Sequence, residues 1–311
     1  AIASSRAVGH TVRFAGRNIE VEDLEASSFE DVDLAFFCAG GDVSRVHAPR
    51  AAAAGALVVD NSSAFRMEPD VPLVVPEVNA EALGTGQGII ANPNCSTILL
   101  VVVLAPLEAL APIRRVVCAT YQAVSGSGAA ALEELARQAE AERAGQVLEA
   151  EVYPQPIHGN VLPFVQAFGE DGVTVEEWKM VRETRRILAR PDLALTATCA
   201  RVPVRRAHSE AVNVEFDVPV APGDVRAALD AAEGVRVVDD PGRLRFPTPR
   251  DAEGRDEVLV GRIRRDASHP RAVDLWISGD QLRKGAALNA VQIAERALGG
   301  RRPGVDRRPP P

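Results

Sequence analysis

Two continuous apolar runs, at 32–38 and 56–60, have the length and pattern of parallel strands covered on both faces. Each ends in small or polar residues, Ala39-Gly40-Gly41 and Asn61-Ser62-Ser63. An alanine-rich segment at 43–54 predicts a helix between them. Strand, turn, helix, strand in that order implies right-handed βαβ units and a doubly wound α/β sheet. Short alternating strands are predicted at 11–14 and 18–21, and Ser4-Ser5-Arg6 reads as a strand end entering a turn. Ligands of such sheets lie beyond the carboxyl ends of the strands, so the three turns together outline a nucleotide site. Each alone is equally ordinary turn chemistry.

Further along, 113–124 predicts one long strand and 129–149 an amphipathic helix. A second helix is predicted at 175–189, with Trp178, Val181 and Leu188 as its apolar stripe. The segments 193–204 and 211–219 alternate like antiparallel strands, with Arg201 and His208 flanking the turn between them. A helix at 221–232, strands at 258–264 and 272–278, and a helix at 286–298 complete the pattern. The Arg/Pro-rich stretch 301–311 reads as disordered.

Chemistry concentrates at Asn92-Pro-Asn-Cys95-Ser-Thr97, which precedes the apolar run 98–107. Asn94 and Ser96 are both good helix N-caps, which places Cys95 at a helix N-terminus. The partial positive charge there favours a thiolate. Glu176 and Lys179 share a helix face, either as a solvated ion pair or as site residues. Ser125-Gly126-Ser-Gly128 allows close backbone approach to a ligand, or is a plain turn. His208 is a solvated loop histidine or a residue aimed with Arg201 at one cavity.

Composition narrows the function classes. The chain has 311 residues, 46% hydrophobic and 25% charged, with net charge −8 and pI near 5.3. No basic stripe favours nucleic acid as a partner. The four cysteines, at 38, 95, 118 and 199, form no C-x-x-C pair, which argues against zinc and against a disulfide framework. Three of them fall in strand-like runs and read as core, consistent with a cytoplasmic protein. No run is long enough to span a membrane. Nearly every cation is arginine; the two lysines, Lys179 and Lys284, either mark places that want a compact ammonium or are neutral chance.

The motifs, in order, resemble one family. They are Ser5-Arg6 with Gly9, Asn61-Ser-Ser-Ala-Phe-Arg66-Met, Asn92-Pro-Asn-Cys95-Ser-Thr, Tyr121-Gln122-Ala-Val-Ser-Gly126 and Glu176-Glu-Trp-Lys179. Arg201-Val-Pro-Val, His208-Ser-Glu and Gly279-Asp-Gln281-Leu-Arg-Lys-Gly complete the set. Together they resemble the aspartate-semialdehyde dehydrogenase family. The resemblance implies reversible reduction of L-aspartyl 4-phosphate by NADPH, without a metal, in the pathway to lysine, threonine, methionine and diaminopimelate. It implies a Rossmann-like doubly wound parallel sheet plus an α+β catalytic and dimerisation domain of the glyceraldehyde-3-phosphate-dehydrogenase-like type. The expected division is 1–94, 95–280, a helix at 281–300 returning to the nucleotide domain, and the tail. A cytosolic homodimer or tetramer is expected.

The resemblance also implies roles. Cys95 matches the nucleophile, His208 the acid/base and Gln122 the residue that orients the intermediate. Arg201 matches the fork for the substrate carboxylate and Glu176 the partner of its ammonium. Arg66, Asn94 and Lys179 match the phosphate site. Ser5 and Arg6 would lie near the 2′-phosphate of NADP, and Ser125, Gly126 and Gln281 near the nicotinamide. The rival readings are an N-acetyl-γ-glutamyl-phosphate reductase type of enzyme and a non-catalytic oligomer partner. One departure stands out: the family's Gly-rich nucleotide turn is not in this sequence. The expectation is therefore a nucleotide domain incomplete at its N-terminus, and a chain that as written is poorly stable or inactive.

Overall fold

The computed structural model describes residues 1–3, 8–85 and 88–299. The expectations for Ser5 and Arg6 and for the tail at 301–311 lie outside these residues.

The first third builds small sheets. β1 (Ile2–Ala3) pairs in parallel with β4 (Glu22–Asp23), and β2 (Thr11–Phe14) forms a hairpin with β3 (Arg17–Glu20). β5 (Leu34–Phe37), β6 (Leu57–Asp60) and β7 (Ile89–Ala91) form a parallel sheet in that order, with α1 (Gly41–Ala53) crossing between the first two. A largely apolar slot of about 830 Å³, lined by Ile2, Leu24, Phe29, Val32 and Phe36, separates β1 from β5. Cys38 at the end of β5 is exposed, not core. The run stops there because a parallel strand's carboxyl end emerges at the edge of its layer.

A short helix α2 (Pro76–Asn79) leads toward β7, and then the central helix α3 (Cys95–Leu110) begins. Ile98 through Leu104 are all buried, so α3 is apolar all round. Each such side chain contributes about 1.5–3 kcal/mol of burial. α3 packs on a six-stranded sheet of order β11 (Val235–Val237), β12 (Val258–Arg265), β13 (Ala272–Gly279), β10 (His208–Phe216), β8 (Ile113–Ala123), β9 (Ala194–Val202). The remaining helices are α4 (Ala129–Arg143), α5 (Val175–Ile187), α6 (Pro222–Asp230), α7 (Pro249–Ala252) and α8 (Leu288–Ala297).

Three further sequence-based expectations need correction. The helix expected to reach 149 ends at Arg143, where Gly145 turns at φ 65°. The strands around 200 and 212 are not paired with each other: β8 lies between them, parallel to β9 and antiparallel to β10. A five-residue connection suggests a hairpin locally, and only the long-range pairing of β8 overrides it. His208 is the first residue of β10 and fully buried, not a solvated loop residue.

The last helix returns across the chain. Ala290, Ile293 and Ala294 of α8 pack on Val59, Val74 and Ile90. Lys284, in the π-helical turn before α8, is buried with its Nζ donating to Glu77, Asn289 and Gln292. One of the two lysines therefore ties α2 to α8 rather than serving chemistry.

Glu210 gives a prediction for stability. Its carboxyl is fully buried, Oε1 has no partner, and burial pushes its pKa well above the ordinary 4.5. A raised pKa contributes stability that is complete below 4.5 and is lost as pH rises toward the folded value. The loss runs at about 1.4 kcal/mol per pH unit. Glu210→Gln keeps the shape and removes the linkage. The variant's Tm is expected to fall less than the parent's between about pH 5 and 8. Identical Tm–pH curves would refute this.

Candidate active site

Strand register brings the site together. Gln122 on β8 lies opposite Arg201 on β9, and His208 opens β10 beside the end of β8. The N-terminus of α3 enters from below with Cys95, and α5 supplies Glu176 and Lys179. These residues, with Arg66, Asn94, Ser125, Gly126 and Gln281, line one cavity of about 280 Å³. Every described residue given a catalytic, substrate or nicotinamide role above is in this lining, whereas Ala39, Gly40 and Gly41 of the turn after β5 are not.

Asn94 is the N-cap of α3: its Oδ1 accepts from Ser96 N at 3.0 Å and Thr97 N at 3.2 Å. Its Nδ2 donates to Glu176 Oε1 at 2.9 Å, which also accepts from Gln122 Nε2 at 3.1 Å. Lys179 Nζ lies 3.4 Å from the other oxygen of Glu176 and donates to Gln166 at 2.8 Å. Glu176 is 2% exposed, so this is not a solvated pair. Glu176 is the hub joining helix cap, glutamine and lysine.

Cys95 Sγ stands 3.5 Å from His208 Nε2. The sequence alone argues for a lowered thiol pKa, yet burial, reinforced by the negative charge of Glu176, pushes it up to about 12. Arg201, Arg66 and the Ser96 amide oppose this and lose. A helix N-terminus supplies only about 0.3–1 kcal/mol, too little against desolvation. In this arrangement Cys95 is a thiol at neutral pH. His208 is held neutral, its pKa pushed well below the ordinary value by burial and then by the Arg201 cation.

Two residues escaped the sequence reading. Glu183 on α5 accepts from Arg66 Nη1 at 3.1 Å and from Asn94 N at 2.6 Å. It follows Glu176 by seven residues, two helical turns, and that spacing was the available signal. Arg66 also donates Nε to Asn92 O and Nη2 to Asn61 O, leaving two of its five N–H groups for a ligand. Gly285 is the other: a Cβ there would stand 3.1 Å from Cys95 Cβ.

Gly126 sits in close packing. A Cβ on it would lie 3.1 Å from Arg201 Nη1 and 3.2 Å from His208 Cε1. Gly126→Ala is expected to lower turnover by about ten- to a hundredfold by displacing both side chains. The fold should survive, because such overpacking costs about 1–3 kcal/mol. Steady-state kinetics and a melting curve check this; an unchanged kcat would refute it. Gln281 bridges the same wall, with Nε2 on Ser125 Oγ and Oε1 accepting from Ala207 N at 2.8 Å. Among the described residues, no group of three or more His, Cys, Asp or Glu side chains is placed to hold a metal ion, and no helix is long and apolar enough to cross a membrane.

A parallel sheet, joined to a second sheet whose strand β10 sets His208 against Cys95 at the N-terminus of α3, is the arrangement of a semialdehyde dehydrogenase, and comparison with known proteins agrees. The family profile described as semialdehyde dehydrogenase, NAD binding domain, matches residues 1–85, and the one described as semialdehyde dehydrogenase, dimerisation domain, matches 104–284. Aspartate-semialdehyde dehydrogenase of Synechocystis is 51% identical over 294 residues, covering 94% of this chain and 87% of that protein. The Bacillus subtilis enzyme of the same name is 44% identical over 302 residues, with the same shares. The crystal structure of aspartate semialdehyde dehydrogenase II from Vibrio cholerae, also solved complexed with ASA, superposes with TM-score 0.93 at 44% identity, covering 96% and 89%. A Candida albicans aspartate semialdehyde dehydrogenase with NADP gives 0.73 at 25% identity, covering 96% and 89%.

This chain belongs to the aspartate-semialdehyde dehydrogenase family. It is an oxidoreductase of amino-acid biosynthesis with a nicotinamide-binding domain and a dimerisation domain.

Proposed function

We propose that the protein catalyses the reversible NADP-dependent conversion of L-aspartyl 4-phosphate to L-aspartate 4-semialdehyde and phosphate through a Cys95 thioester. The observation that carries this reading is the Cys95–His208 contact of 3.5 Å inside a cavity that also holds three cations and a buried carboxylate. The sulfur attacks the acyl carbon and phosphate departs. The substrate's α-carboxylate matches the planar fork of Arg201, whose Nη1 is anchored on Ala123 O at 2.8 Å. Its ammonium matches Glu176, and pairing there offsets the negative charge that reinforces burial in raising the thiol pKa. Arg66 and Lys179 meet the phosphate, with the remaining amide N–H of Asn94. Gln122, anchored between Thr120 and Glu176, orients the carbonyl.

The residues present fit a dinucleotide. Gly40, at φ 96°, precedes α1, whose first turn has no side-chain cap, at the carboxyl end of β5. Unclaimed N–H groups in such a place suit a phosphate. Asp60 orders the next loop by accepting from Ser44 and Ser62, each at 2.7 Å. We assign the cofactor to these loops and to Ser125, Gly126 and Gln281, with Ser5 and Arg6 at a 2′-phosphate. When bound, the nicotinamide supplies hydride to the thioester carbon.

We assign the homodimer contact to the open face of the six-stranded sheet, where Tyr121 and Trp276 pack with centroids 5.1 Å apart and their planes tilted by 36°. We place the division between nucleotide and catalytic domains at 94/95, with 281–300 returning to the first, and the reaction in the cytoplasm. The test is a coupled assay with aspartate semialdehyde, phosphate and NADP, run beside N-acetylglutamate semialdehyde. Turnover confined to the aspartyl compound is expected; turnover of the acylated one alone would overturn the reading.

A further inference from the structure

His208 is wedged between two donors and a thiol, and that fixes its chemistry. Nδ1 accepts a hydrogen bond from the backbone N–H of Ala123 at 2.9 Å. An atom that accepts from an N–H carries a lone pair, so the single proton of the neutral ring is on Nε2. Nε2–H therefore points at Cys95 Sγ, 3.5 Å away. Ala123 cannot turn aside. It is fully buried, and its carbonyl is held by Arg201 Nη1 at 2.8 Å.

We propose that His208 acts as a neutral hydrogen-bond donor through Nε2–H, with the Ala123 amide as the positioning group that fixes this tautomer, and that the Cys95 proton leaves on the phosphate. This rests on the thioester reading above and deepens it. An imidazolium would set Nδ1–H against Ala123 N–H, two donors at 2.9 Å, and would stand beside the Arg201 guanidinium. The titratable neighbours are Cys95 from α3, Arg201 from β9, and Glu210 on the same strand; Glu176 of α5 acts on Cys95. None offers an anion to Nδ1. With its only proton on Nε2, the ring has no lone pair facing the sulfur and cannot take the thiol proton.

The acylation step balances without it. The bond from Sγ to the acyl carbon forms, the bond from that carbon to the phosphate oxygen breaks, and the Sγ proton passes to that oxygen. A dianionic acyl phosphate and a thiol give a thioester and HPO4 dianion. Meanwhile Nε2–H donates to the oxygen of the acyl carbon as negative charge grows there. A neutral imidazole held below its ordinary pKa can polarise a carbonyl in this way.

The primary test is two-bond 1H–15N correlation spectroscopy on the 15N-histidine-labelled protein alone, with His208 assigned by its loss in His208→Gln. The expected result is the Nε2–H tautomer without titration from about pH 5 to 8. An Nδ1–H tautomer, or titration in that range, would overturn the proposal whatever the substrate proves to be. Replacing the Ala123 amide by an ester, with the α-hydroxy analogue of alanine at position 123, removes the N–H without adding an atom beside Nδ1. In that variant the Nε2–H tautomer is expected to give way in part to Nδ1–H, while burial and Arg201 still hold the ring neutral. Persistence of the same tautomer would remove Ala123 from its positioning role.

The second readout is phosphate release from L-aspartyl 4-phosphate in a single turnover. His208→Ala is expected to lose roughly 10²–10³-fold, the size of a lost oxyanion donor. His208→Gln, which offers a neutral N–H near the place of Nε2, is expected to recover at least about tenfold of that. A proton shuttle predicts no such recovery. Absence of release by the parent protein would count against the thioester reading and leave the tautomer result standing.

Discussion

Replacing Cys95 by alanine is expected to abolish semialdehyde oxidation, lowering kcat by at least roughly 10⁴-fold, while the nicotinamide dinucleotide still binds. The size follows from the site's layout. No other described cysteine lines this cavity: Cys118 and Cys199 are buried in the sheet core, and Cys38 is at the end of β5. Without the sulfur, water would have to attack the acyl carbon in a pocket built to hold a thiol against Gly285 and His208. The surrounding hydrogen bonds do not depend on Sγ, since Glu176, Asn94 and Gln122 bond to one another. The cavity should therefore survive and binding with it. Mass spectrometry after quenching should show an acyl adduct on the parent protein and none on the variant. A residual rate within about 100-fold of the parent would sink the covalent mechanism.

The same thiol has a pH signature. Because burial and Glu176 push its pKa up to about 12, iodoacetamide should react slowly at neutral pH. Its rate should climb about tenfold per pH unit through the alkaline range. A plateau near neutrality would mean that the helix end outweighs desolvation.

What could be read in the sequence was local. The Asn94 cap, the cysteine one residue later and the apolar run that follows are near neighbours in the chain, so the helix N-terminus was legible. The doubly wound pattern was legible for the same reason: each βαβ unit is a contiguous segment. The thiol's protonation was not, because its causes are burial under the assembled fold and then the carboxylate of Glu176, 81 positions further on (176 − 95). Gly126 looked like a turn glycine; its necessity comes from Arg201 and His208 closing over it. The amide of Ala123 has no side-chain signature at all. Lys284 stood out by composition, but only the fold shows that its partners are structural.

Glu183→Ala is expected to cost about 3–5 kcal/mol of stability, because it leaves a buried cation without its counter-ion. The carboxylate joins three segments: α5, the loop that carries Arg66, and the backbone of Asn94 ahead of α3. Arg66 is 7% exposed and keeps only two carbonyl acceptors when Glu183 is gone. The Asn94 N–H loses its acceptor at the same time. For a domain of this size the loss corresponds to a Tm drop of roughly 10 °C. Burial raises the pKa of Glu183 even against Arg66 and the Asn94 amide, so its desolvation is not fully offset. The sign follows: the stability linked to this proton is complete below 4.5 and falls as pH rises through the folded value. Replacing both partners, as Glu183→Gln with Arg66→Met, should therefore recover part of the Tm lost by Glu183→Ala. Activity should separate from stability in this pair. The double variant regains Tm but keeps a raised KM for phosphate, since the guanidinium that faces the cavity is gone. A Glu183→Ala protein that melts with the parent would show that the pair adds nothing to the fold. A double variant with parental KM would remove Arg66 from the phosphate site.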